Sequence, residues 1–89
     1  MKTGTVVISQ KGHDKDNFYV VIGKEENLVL LCNGKSKKLS NPKRKNPTHL
    51  KETGFCIDLS VYSPLYDAHI RKELKCIKHT GAKPEMPNN

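Results

Sequence analysis

Three short apolar runs near the start of the chain set the narrowest limits on its fold. Thr5-Val6-Val7-Ile8 is β-branched throughout, Phe18 to Gly23 is aromatic and aliphatic, and Leu28 to Cys32 follows after a brief polar break. Such side chains favour extended backbone, and each run has the length of a strand. None approaches the length needed to cross a bilayer. The polar stretch Ser9–Asn17, with Gly12 inside it, reads as a loop, and Lys24-Glu25-Glu26-Asn27 as a tight connection. Asn33-Gly34 is a hairpin signal, because both residues tolerate positive φ. It predicts a short fourth strand near Ser36–Leu39.

The next segment is Ser40-Asn41-Pro42-Lys43-Arg44-Lys45-Asn46-Pro47, three cations between two prolines. Proline is excluded from helix interiors and central strands, which predicts an exposed, stiffened loop. His49 to Lys51 re-enters the sheet. Phe55, Ile57, Leu59 and Val61 then alternate with Cys56, Asp58 and Ser60, the pattern of a half-buried strand. After this the rhythm changes. Ser63-Pro64 offers a cap residue and a first-turn proline, and Tyr66, Ile70, Leu74 and Ile77 share one helical face. These signals predict a helix over 64–78, stopped by Gly81, and a disordered tail over 82–89.

Several strands before one terminal helix give a mainly β fold, a small barrel or rolled sheet of about residues 4–61 with the helix packed against it. At 89 residues the chain fits one domain, placed at 1–81. A barrel half this small is marginally stable alone, so the helix is expected to cover one side of it. Cys32, Cys56 and Cys76 are odd in number and far apart, unlike a disulfide framework. Together with an opening apolar run too short for a signal-peptide core, they predict a reduced, cytoplasmic protein, monomeric when free and without a membrane partner. Cys32 and Cys76 are expected to be buried as small hydrophobes.

Charge narrows the function. The chain carries 16 Lys and Arg against 9 Asp and Glu, a net charge of +7 at pH 7. All of the excess lies between Lys2 and Lys51; the remainder is balanced. An uneven cationic surface favours an anionic partner, nucleic acid first among them. The densest region holds Lys35, Lys37, Lys38, Lys43, Arg44, Lys45 and Lys51 with no acid before Glu52. Self-repulsion in such a run costs stability unless a polyanion meets it. Arg44 suits bidentate phosphate contact, whereas the lysines act as point charges.

Lys11 and Lys15 flank Gly12 in the first loop, where Asp14 and Asp16 oppose them. Phe18 and Tyr19 must point to opposite faces of their strand. The expectation is Phe18 inside and Tyr19 outside, where it is a candidate to stack on a base. His69 and Glu73, one helical turn apart, read as a surface pair. Cys76-x-x-His79 is the sole local ligand pair, and a structural zinc site needs two such pairs. No phosphate loop, serine elbow or paired-carboxylate motif is visible. Neither a metal, a cofactor nor catalysis is expected.

The residues also carry a likeness. Gly4-Thr5-Val6-Val7-Ile8-Ser9, then Lys11-Gly12-His13-Asp14-Lys15 and Phe18-Tyr19-Val20-Val21, resembles the KOW motif, a strand, a basic glycine turn and a second strand. Leu28 to Lys35, Lys38-Leu39, Asn41-Pro42-Lys43-Arg44-Lys45 and His49-Leu50 extend it. The combined pattern is similar to small bacterial KOW-domain proteins akin to the eukaryotic-type large-subunit ribosomal protein fourteen. The resemblance covers residues 4–51 and, less sharply, Asp67 with Ile70-Arg71 and Leu74. It implies an SH3-like barrel that binds RNA, ribosomal RNA above all, beside ribosomal proteins and with no cofactor. Where the motif usually has a further glycine, this chain has Asp16-Asn17, residues that also adopt left-handed geometry. The rival reading is a protein–protein adaptor of the translation or transcription machinery, since SH3-like folds also bind proteins.

Overall fold

The computed structural model describes residues 1–13 and 15–79. Five antiparallel strands form one sheet: β1 (Thr5–Ser9), β2 (Phe18–Glu25), β3 (Leu28–Cys32), β4 (Lys43–Lys45) and β5 (Leu50–Cys56). A helix, α1 (Asp67–His79), follows. The order across the sheet is β4-β3-β2-β1-β5, so consecutive hairpins place β4 at one edge, and β5 pairs back onto β1 at the other. The fold is mainly β with a terminal helix, as the sequence predicts. The tail expected over 82–89 and the stop at Gly81 lie outside the described residues.

Covalent geometry forces the sheet to roll. The two edge strands are joined by a single 3-10 turn, Pro47–His49. Between Lys45 and Leu50 the chain reaches at most about 18 Å when fully extended, and the turn shortens that. Four strand spacings in a flat sheet amount to about 19 Å. The edges must therefore curl toward each other. One contact records the curl: Lys45 Nζ on β4 donates to the Lys11 carbonyl, just past the end of β1, at 2.8 Å. No ladder joins β4 to β5 among the described residues.

Rolling buries both faces of the sheet. Val7, Tyr19, Val21, Val29, Leu31 and Leu50 pack together on the inner face. Val6, Val20, Cys32 and Ile57 pack on the outer face against Ile70, Leu74 and Ile77 of α1. The helix thus covers one side of the sheet, as its apolar stripe predicts. Tyr19 is not the outward aromatic of the sequence reading. It sits opposite Val7 on the inner face and is only 2 % exposed. Phe18 is the half-buried one, on the side of the helix.

Three element boundaries differ from expectation, each because a side chain takes a backbone donor. Ser36–Leu39 is not a strand. The Asn33 carboxamide accepts from the Lys35 and Lys37 amides at 2.9 Å each, and Asp67 Oδ1 accepts from the Leu39 amide at 2.9 Å. Short polar side chains compete with ladder pairing in this way. The fourth strand is instead the cationic segment itself, which pairs with Val29–Leu31. The strand expected over 55–61 begins earlier, at Leu50, and ends at Cys56. Its bulge against β1 is closed by the Thr53 hydroxyl donating to the Val6 carbonyl at 2.9 Å. Leu59–Val61 forms a 3-10 turn, because Asp58 accepts from the Ser60 amide at 3.1 Å; Val61 is exposed. The helix starts at Asp67, with the Tyr66 amide bonded to His69 Nδ1 at 2.9 Å, so Tyr66 lies outside its apolar face and is exposed.

No helix among the described residues is long and apolar enough to cross a membrane. All three cysteines are free thiols, but only Cys32 is buried; Cys76, expected inside, is exposed on α1. Burial pushes the Cys32 thiol from its ordinary 9.0 up to about 11, against a lowering contact from the Gly34 backbone and with the Asp67 charge adding to the rise. A pKa raised in the folded state stabilises the fold fully below the unfolded value and loses that contribution as pH rises through the folded one. Stability should therefore decline between about pH 9 and 11 with a slope that is shallower in Cys32→Ala. Denaturant titrations across that range measure the difference. In the native protein at neutral pH, Cys56 and Cys76 should react with a thiol reagent while Cys32 stays protected.

Candidate nucleic-acid interface

The cations predicted from sequence fall into three places. Lys43, Arg44 and Lys45 lie on β4, opposite Leu31, Leu30 and Val29 in turn. Since alternate residues of a strand point to opposite faces, Arg44 departs from its two neighbours. Lys45 closes on the β1–β2 loop through the Lys11 carbonyl, so the roll brings β4 to the loop that carries Lys11 and Lys15. In that loop Asp16 has φ of 72°, the left-handed geometry expected there. Lys35, Lys37 and Lys38 lie on the connection from β3 to β4. Lys51 stands apart on β5, the other edge of the ladder, where it pairs with Ile8. Tyr19 is buried on the inner face, so its ring is not presented to solvent.

Arg44 is not solely available to a partner. Its guanidinium Nε donates to Glu25 Oε1 at the end of β2, with both side chains about half exposed. The hydrogen bond and charge of Arg44 hold the Glu25 carboxyl below its usual range, and Glu25 in turn raises Arg44. An exposed pair of this kind is screened by salt and contributes little to stability. It is a local competitor for any phosphate that approaches β4.

The β3–β4 connection is pinned rather than loose. The Lys37 carbonyl accepts from the amides of Asn33 and Gly34 at 2.9 and 3.0 Å, and Cys32 Sγ lies 3.1 Å away as a further donor. Gly34 has φ of 76°, and a Cβ there would stand 2.5 Å from the Asp67 carbonyl oxygen and 2.9 Å from Arg71 Cγ. Only glycine lets the connection lie this close to the helix. Arg71 Nη1 completes the junction, donating to the Gly34 carbonyl at 2.6 Å. With its backbone fixed by these bonds, the segment holds Lys35 and Lys38 exposed on the surface.

That junction forms one wall of a groove of about 930 Å³ between α1 and the connections on either side of it. Phe18 and Leu74 contribute apolar surface, and Lys35, Arg71, Lys75 and Lys78 contribute charge; no carboxylate is among the described lining residues. Lys72 belongs to the same wall. Lys78 Nζ rests 5.5 Å from the centre of the Phe18 ring. Each acid of the helix accepts a hydrogen bond. Asp67 receives the Leu39 amide, and Glu73 receives the Tyr62 hydroxyl rather than pairing with His69.

The helix cations were not singled out from sequence, because the second half of the chain is neutral in sum. A usable signal was present: Arg71, Lys75 and Lys78 recur at helical spacing on one face, with Lys72 beside them, while Glu73 falls on another. Among the described residues no three His, Cys, Asp or Glu side chains gather as a metal-ligand set. No protein-family model matches the chain, and no curated protein does.

Glu25→Gln should release Arg44 from its competitor. The variant is expected to elute from a heparin column at higher salt than the parent, with its melting temperature nearly unchanged.

Proposed function

We propose that this chain is a cytoplasmic RNA-binding module that grips phosphates, with ribosomal RNA the class to which the KOW resemblance points. One observation carries the reading: a lysine-bearing connection is held rigid by hydrogen bonds beside a cationic groove that, among the described residues, no carboxylate lines. Positive charge fixed at short range repels itself, and a polyanion relieves that cost. A loop evolved only for solubility needs no such bracing.

Lys37, Lys38, Lys43, Arg44 and Lys45 supply the main charge, with Lys11, Lys15, Lys35 and Lys51 secondary. Arg71, Lys72, Lys75 and Lys78 join them from the helix. Contacts to phosphate set position and carry no sequence information by themselves, so the module reads shape and charge before sequence.

Each phosphate contact releases a counterion. If about four phosphates are held, affinity should fall roughly a hundredfold for a fourfold rise in salt. Changing Lys43, Arg44 and Lys45 together to Glu should cost at least about tenfold in affinity for ribosomal RNA fragments while circular dichroism stays native. Retention on an acidic protein, with no RNA binding at low salt, would favour the adaptor reading instead.

A further inference from the structure

We infer that the groove beside α1 is a subsite for an unpaired nucleotide, which makes looped or single-stranded RNA, not duplex, the preferred partner. The inference rests on the RNA-binding reading and adds to it the form of RNA that is bound. A duplex keeps its base faces stacked inside and offers a protein only backbone, 2′-hydroxyls and base edges. The groove is concave, and its volume of about 930 Å³ lies in the range of pockets that enclose small organic ligands. A nucleotide out of its stack is such a ligand.

The chemistry of the walls matches both halves of a nucleotide. Phe18 is half-buried, with part of its side chain open to the groove, and Leu74 adds aliphatic surface beside it. Flat bases gain stacking energy on an aromatic face regardless of sequence. Around this apolar patch stand Lys35, Arg71, Lys75 and Lys78, all exposed, and none makes an ion pair with a described residue. Arg71 is fixed by its bond to the Gly34 carbonyl, and a guanidinium has further N–H donors for a phosphate.

Lys78 gives the site a specific exchange. Its ammonium now lies 5.5 Å from the centre of the Phe18 ring, a cation held by the ring's negative face. An arriving base takes the face of the ring, and the displaced ammonium turns to the phosphate that follows the base. Inorganic phosphate alone offers nothing to the apolar patch, and duplex RNA cannot bring a base to it.

The test uses the full chain and two labelled RNAs with equal numbers of phosphates, one single-stranded and one duplex. Fluorescence anisotropy is read at one fixed low salt concentration. The parent protein should bind the single strand more tightly. Phe18→Leu keeps an apolar side chain but removes the ring; it should weaken single-strand binding at least about fivefold, the lower end of base stacking, and change duplex binding less than about twofold. Lys75→Glu with Lys78→Glu, at exposed helix positions, should abolish the preference for the single strand, and serves also should Phe18→Leu fail to fold. Equal losses for both RNAs, or none, would overturn the nucleotide subsite and leave phosphate binding standing. Equal displacement of the single strand by a phosphorylated peptide would overturn it too. If neither RNA binds the parent, the functional reading itself fails.

Discussion

The contact between the first turn of α1 and the β3–β4 connection holds the rest of the structure in place. Asp67 Oδ1 accepts from the Leu39 amide and lies 3.7 Å from Cys32 Sγ, at the end of β3. Gly34 is seated against Asp67 and Arg71, and Arg71 returns a hydrogen bond to its carbonyl. Helix, connection and sheet are thereby locked at one point. This lock sets where the helix lies on the outer face, and so which of its residues reach the groove. It also gives the Asp67 carboxylate a fixed place, with Oδ1 aimed at the Leu39 amide.

Two further acids are held by neighbouring donors. Asp58 is held below its usual range by the hydroxyl and amide of Ser60, and Glu73 takes the hydroxyl of Tyr62. Both shape the segment between β5 and α1. Asp58, Asp67 and Glu73 thus hold backbone geometry and a phenol, and the cations along the groove have no carboxylate among its described lining residues. Arg44 is paired with Glu25 at the far edge strand, at the surface where salt screens the pair. On this account the helix side adds a second half to the proposed interface, although the sequence directs attention to β4.

How much of this could be read from sequence depends on where each determinant lies. β1, β2 and β3 were legible because apolar runs of strand length leave little choice. The position of β4 was not. The Asn33 carboxamide and Asp67, 34 residues further on, claim the amides of the segment that looked more strand-like, and the second of these is a tertiary contact. The face of Tyr19 could not be settled by alternation, since rolling buries both sides of β2. The helix cations were hidden by addition: a neutral sum over residues 52–89 conceals the separation of acids from bases in space. Net charge by segment is informative for a loop and misleading for a helix, whose faces it averages.

The most direct measurement is a titration of isotope-labelled protein with single-stranded RNA, followed through its backbone amide resonances. The account predicts that shifts concentrate on residues 33–38 and 71–78, extend to 43–45, and spare the turn around Val61. Shifts gathered at Val61 and Tyr66, with the braced connection and the helix wall unmoved, would contradict it.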